Sequence, residues 1–121
     1  MPAESAIIEW SARAYPFCGA GKVIWLEGNP DEPITSGRVD GYVMACPEAT
    51  ILIEDSGQDQ SEADWLWRDI AALESEANAN GRALKIIRVK PPRATYCRYR
   101  GKYWTPCCLN AYVANGAVVT A

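Results

Sequence analysis

GYVMACPEATILIE, residues 41–54, holds two runs of strand-forming residues around a proline-containing turn. GYVMAC (41–46) and TILIE (50–54) carry the β-branched and apolar side chains that suit a pleated, half-buried surface. Only Pro47, Glu48 and Ala49 separate them, which predicts an antiparallel hairpin. SGQDQ (56–60) reads as a polar loop, and Ser61-Glu62-Ala63-Asp64 resembles an N-terminal cap with first-turn acids. Leu66, Ile70, Leu73 and Ala77 then recur at helical spacing, and Asn80-Gly81 is the predicted stop. ALKIIRVK (83–90) predicts a third strand, closed by Pro91-Pro92. Residues 41–90 therefore read as one complete ββαβ unit, and the class is α/β (α+β).

The flanks read as parts of further units. A short helix is expected over 3–15, before Pro16, and KVIWL (22–26) reads as a short buried strand. EGNPDEPITSG (27–37) is a loop rich in proline and glycine. LNAYVANGAVVTA (109–121) predicts a hairpin around Asn115-Gly116, a strong short-range hairpin signal. The expected organisation is a single partial domain, 1–121. It comprises an α-β piece at 1–26, the ββαβ unit at 41–90, and a loop or hairpin plus a terminal ββ piece at 93–121.

Composition narrows the chemistry. The apolar fraction is 49% and the charged fraction 22%, as in an ordinary globular domain. No apolar run reaches the ~18–20 residues of a membrane span, and MPAESAIIEW does not resemble a signal peptide, so a cytoplasmic protein is expected. The five cysteines (Cys18, Cys46, Cys97, Cys107 and Cys108) show no C-x₂-C spacing, so no metal or cofactor is expected and the thiols read as reduced. The chain contains no histidine, which removes every histidine-dependent mechanism from this chain acting alone. All 15 acidic residues lie at or before Glu76, whereas the segment from Arg82 to Lys102 is basic throughout. Mutual neutralisation of two packed parts is one reading of this split, and a basic binding face is the other.

Several stretches, in this order, resemble the agmatine deiminase family, which includes the bacterial peptidylarginine-deiminase-type enzymes. They are KVIWL (22–26), TSGRVD (35–40), YVMACPEATILIE (42–54), GRALKIIRVKPP (81–92) and CLNAYVANGAVVTA (108–121). The resemblance covers nearly all of the chain beyond residue 20. It implies a fragment of an α/β propeller built from ββαβ modules, about two modules' worth. It also implies a parent activity: hydrolysis of a guanidinium group, as in conversion of agmatine to N-carbamoylputrescine and ammonia. In that chemistry a cysteine thiolate attacks the guanidinium carbon, a histidine moves the proton, and carboxylates grip the guanidinium nitrogens.

TSGRVD falls on the family's T-D-G-H-x-D pattern. By that resemblance Asp40 is the gripping carboxylate, Gly37 the turn glycine and Thr35 the pattern's threonine. Arg38 stands in place of the catalytic histidine and Ser36 in place of the usual aspartate. Arginine stays protonated and cannot serve as an acid-base group near neutral pH. The family's nucleophilic cysteine sits in a Gly-rich segment beyond the stretch matched here, and none of the five cysteines occupies one. No catalytic residue is therefore expected. Arg38 either pairs with Asp40 and fills the place of a substrate guanidinium, or both residues are simply solvated.

Three expectations follow about partners. The chain is expected to be a truncated, non-catalytic relative that self-associates, as a dimer through its terminal strands, and takes a guanidinium compound. The alternative is a single-stranded nucleic-acid module. Arg93, Arg98, Arg100 and Lys102 interleave with Tyr96, Tyr99, Tyr103 and Trp104, a pattern suited to phosphate tracking and base stacking. The plainer reading of that segment is a hairpin turning at Gly101-Lys102. No membrane partner is expected.

Overall fold

The computed structural model describes residues 19–30, 38–55, 64–91, 97–104 and 108–120. The helix expected at 3–15, the loop at 56–60 and the cap at Ser61 lie outside them. A single turn of 3-10 helix, Val39–Gly41, leads into β1 (Val43–Cys46), followed by β2 (Thr50–Glu54). Helix α1 (Asp64–Glu74) and strand β3 (Lys85–Val89) come next. Two hairpins follow: β4 (Cys97–Tyr99) with β5 (Lys102–Trp104), and β6 (Ala111–Ala114) with β7 (Ala117–Thr120).

The ββαβ order forms a three-stranded mixed sheet, β1-β2-β3, with β2 in the centre. β1 and β2 are antiparallel, with Val43 opposite Ile53 and Cys46 opposite Thr50. β2 and β3 are parallel, Thr50 lying beside Lys85 and Glu54 beside Val89. A parallel pair needs a long crossover, and α1 lies within it. Leu66, Ile70 and Leu73 bring its apolar stripe onto Ile53 and Tyr42 to form the core, with Ile24, Leu26, Val43, Ile51, Trp65, Leu84 and Ile86 around it. Ile53 is fully buried.

Tight turns close the hairpins with both central residues left-handed, the conformation whose twist matches antiparallel strands. Asn115 and Gly116 supply it between β6 and β7, as the sequence predicts. Between β4 and β5 the turn sits on Arg100-Gly101, one residue earlier than expected, because glycine takes the second left-handed position. At β1–β2 the left-handed residues are Glu48 and Ala49, with the Thr50 N–H donating to the Pro47 carbonyl at 3.3 Å.

Two local expectations are corrected. KVIWL has Ile24 and Leu26 packed on the core and Trp25 43% exposed, but it belongs to no strand among the described residues. An apolar run needs only a core to pack on, and here the segment that follows is held by N–H groups that donate to the Asp69 side chain of α1. Helix α1 also stops at Glu74, so Ala77 is not on it. Ala77 instead bridges Ala83, and the Asn78 side chain accepts from the N–H groups of Asn80 and Arg82, both at 3.0 Å. This side-chain competition with helical bonding makes Asn80-Gly81 the turn of a small bridge and not a helix cap.

Candidate functional site

The 3-10 turn places Arg38 and Asp40 on one short arc, with the Gly41 N–H donating to the Arg38 carbonyl at 3.0 Å and the Tyr42 N–H to Val39 at 3.1 Å. Across this arc the Arg38 guanidinium grips the Asp40 carboxylate at two points. Nη2 donates to Oδ2 at 3.2 Å and Nε lies 3.2 Å from Oδ1. The pair is exposed, with 69% and 51% of the two side chains accessible, so it stabilises the fold by about 0–1 kcal/mol. It nonetheless has the two-point geometry with which a carboxylate recognises any guanidinium. Thr35 and Gly37 lie outside the described residues.

Tyr42, which follows this arc, reaches a group that the sequence motifs did not single out. Asp69 of α1 is only 2% exposed and accepts three hydrogen bonds. Its Oδ1 takes the Glu27 N–H at 2.6 Å, and its Oδ2 takes the Gly28 N–H at 3.1 Å and the Tyr42 hydroxyl at 2.7 Å. Successive N–H groups aimed at one anion require the chain to curl, and Gly28 does so with φ +75°. Burial, reinforced by the hydrogen bond to Asp69, pushes the Tyr42 phenol far above its ordinary range and keeps it a donor. The Tyr42 ring also stands edge-on to Trp65, with centroids 5.2 Å apart.

Next to Asp69, Arg68 forks onto the Glu27 carboxylate, Nε at 2.6 Å and Nη2 at 3.0 Å, and also pairs with Asp64. That bond from Arg68 holds the Glu27 carboxyl below its usual range. A signal for Asp69 was present: position 69 lies three residues after Leu66 and four before Leu73, a carboxylate on the apolar stripe. An acid there must be paired.

The basic-aromatic segment is partly described. Arg98 and Tyr99 lie on β4 and Trp104 on β5, with Arg98 opposite Tyr103 and Tyr99 opposite Lys102. Arg100 and Lys102 are exposed, while Arg93 and Tyr96 lie outside the described residues. Cys46 and Cys108 are free thiols, the former half-buried and the latter exposed. Among the described residues no cluster of acidic or cysteine side chains is arranged to hold a metal. No helix among them is long and apolar enough to cross a membrane.

A search of curated proteins found no match. Among solved structures, the chain resembles a crystal structure described as a candidate peptidyl-arginine deiminase, with a TM-score of 0.61 and 16% sequence identity. The likeness covers 88% of this chain but 32% of that one, so the chain spans about a third of the length of the solved protein. At this identity the likeness speaks to fold alone. The sequence profile described as Porphyromonas-type peptidyl-arginine deiminase matches residues 9–121, which include the Arg38–Asp40 arc, the whole ββαβ unit and both hairpins. The chain belongs to the Porphyromonas-type peptidyl-arginine deiminase family.

Proposed function

We propose that this chain is a guanidinium-binding, non-catalytic member of the family, on the agmatine-deiminase side of it, and that its ββαβ unit is one module of a propeller-type architecture. Asp40 is the receptor carboxylate and Arg38 its internal occupant. The observation that carries this reading is the two-point grip of Arg38 on Asp40 at 3.2 Å. A carboxylate held this way offers an incoming guanidinium a site only if it displaces the chain's own. Turnover is not part of the reading, because the chain has no histidine and places a permanent cation at position 38.

Removing the occupant tests it. Arg38→Ala is expected to bind agmatine with a Kd of about 1 mM or weaker, as befits a single exposed carboxylate, visible as shifts of the Gly41 and Tyr42 amide resonances. The wild-type chain is expected to show smaller shifts, and Asp40→Asn in the Arg38→Ala background none. Equal shifts with and without Asp40 would sink the proposal.

A second reading, self-association, has its own support. Tyr112, Val118 and Val119 on the β6–β7 hairpin are 70%, 65% and 61% exposed, an unusual concentration of apolar surface on four-residue strands. The proposal is a dimer through the terminal strands. Sedimentation showing a monomer at high concentration would refute it.

A further inference from the structure

Residues 27–28 and Tyr42 stand on either side of the segment that carries Arg38 and Asp40, and both are fastened to one buried carboxylate. We propose that Asp69 is a positioning residue for the guanidinium-binding arc, holding the chain where it enters and where it leaves; the inference rests on the proposed role of Asp40.

The geometry is specific to that task. Asp69 is separated by 42 residues from Glu27 and by 27 from Tyr42, so neither contact is local to the helix. Its Oδ2 is shared between the entry, through the Gly28 N–H, and the exit, through the Tyr42 hydroxyl. Tyr42 follows directly on the 3-10 turn and donates its own N–H back to Val39, so movement of the Tyr42 ring is transmitted to the backbone that carries Asp40. Arg68 adds a tether at the entry alone, and it is an exposed one. At the exit the Tyr42 hydroxyl reaches Asp69, and the Tyr42 carbonyl accepts the Glu54 N–H at 2.9 Å.

Tyr42→Phe removes that hydroxyl and leaves a ring able to pack on Trp65. Amide hydrogen exchange of Gly41 and Tyr42 in the full chain is expected to accelerate about tenfold more than that of Ile51 and Leu52 in β2, the worth of one net hydrogen bond. A merely structural role would accelerate β2 by the same factor. In the Arg38→Ala background, Tyr42→Phe is further expected to weaken agmatine binding about threefold to tenfold. Unchanged exchange at Gly41 and Tyr42, or acceleration there no greater than at Ile51 and Leu52, overturns the clamp. If Arg38→Ala binds no agmatine, the guanidinium reading falls, and the exchange result still decides whether Asp69 positions the arc.

Discussion

Replacing Asp69 by asparagine should destabilise the protein far more than loss of any of its surface ion pairs. The carboxylate accepts three hydrogen bonds on two oxygens, and asparagine offers one oxygen and one NH₂ of the same shape. In the better orientation its oxygen keeps Gly28 and Tyr42, and the NH₂ then faces the Glu27 N–H that now lies 2.6 Å from Oδ1. A buried donor left facing a donor costs about 1–3 kcal/mol. The two retained bonds fall from charge-assisted to neutral strength, about 1 kcal/mol each. Burying an amide is less unfavourable than burying an anion, which returns part of this. The net expectation is a loss of about 3 kcal/mol. In urea unfolding at pH 7, followed by far-ultraviolet circular dichroism, this would lower the midpoint by about 1.5–2 M at an unchanged slope. Asp64→Asn, which removes an exposed partner of Arg68, serves as control and should cost under about 0.5 kcal/mol. A loss below about 1 kcal/mol for Asp69→Asn would refute the claim that this carboxylate anchors the fold.

Glu54 has a buried Oε1 without a hydrogen-bond partner among the described residues, and burial raises its carboxyl above the ordinary 4.5, partly offset by the Cys108 backbone N–H. Because the folded state holds this proton more tightly than the unfolded one, wild-type stability falls as pH rises through that raised value. Glu54→Gln should therefore gain on the wild type between pH 4 and pH 7 in thermal melts; a difference independent of pH would contradict the assignment. In the β1–β2 turn, Glu48 and Ala49 occupy left-handed conformations that favour glycine and asparagine, at about 1 kcal/mol each. Glu48→Asn with Ala49→Gly should recover about 1 kcal/mol after the entropy of glycine is counted, raising Tm by about 4 °C, and a lower Tm would show that the turn is not strained.

The ββαβ unit was legible because its signals are local. Short runs of strand-forming residues in 43–46 and 50–54 and apolar residues at helical period in 66–73 place each element, and Asn115-Gly116 marks the last hairpin by turn chemistry alone. The errors share a cause. Ala77 and Asn80-Gly81 matched helix and stop templates, but the backbone there pairs Ala77 with Ala83, and the Asn78 side chain bonds the turn between them. Glu48 and Ala49 carry no left-handed preference, so only the pairing of β1 with β2 forces them there.

What the sequence determined by itself was the order of elements in the ββαβ unit and the last hairpin, the absence of any histidine, and the presence of a cation and an acid at positions 38 and 40. Tertiary structure alone decided that KVIWL would join no strand among the described residues, that Arg38 would grip Asp40 at two points, and that Asp69 would collect Glu27, Gly28 and Tyr42. Periodicity and turn preference act between near neighbours and can be read along the chain. Hydrogen bonds between groups 27 and 42 residues apart depend on how the helix docks on the sheet, and no local pattern records that.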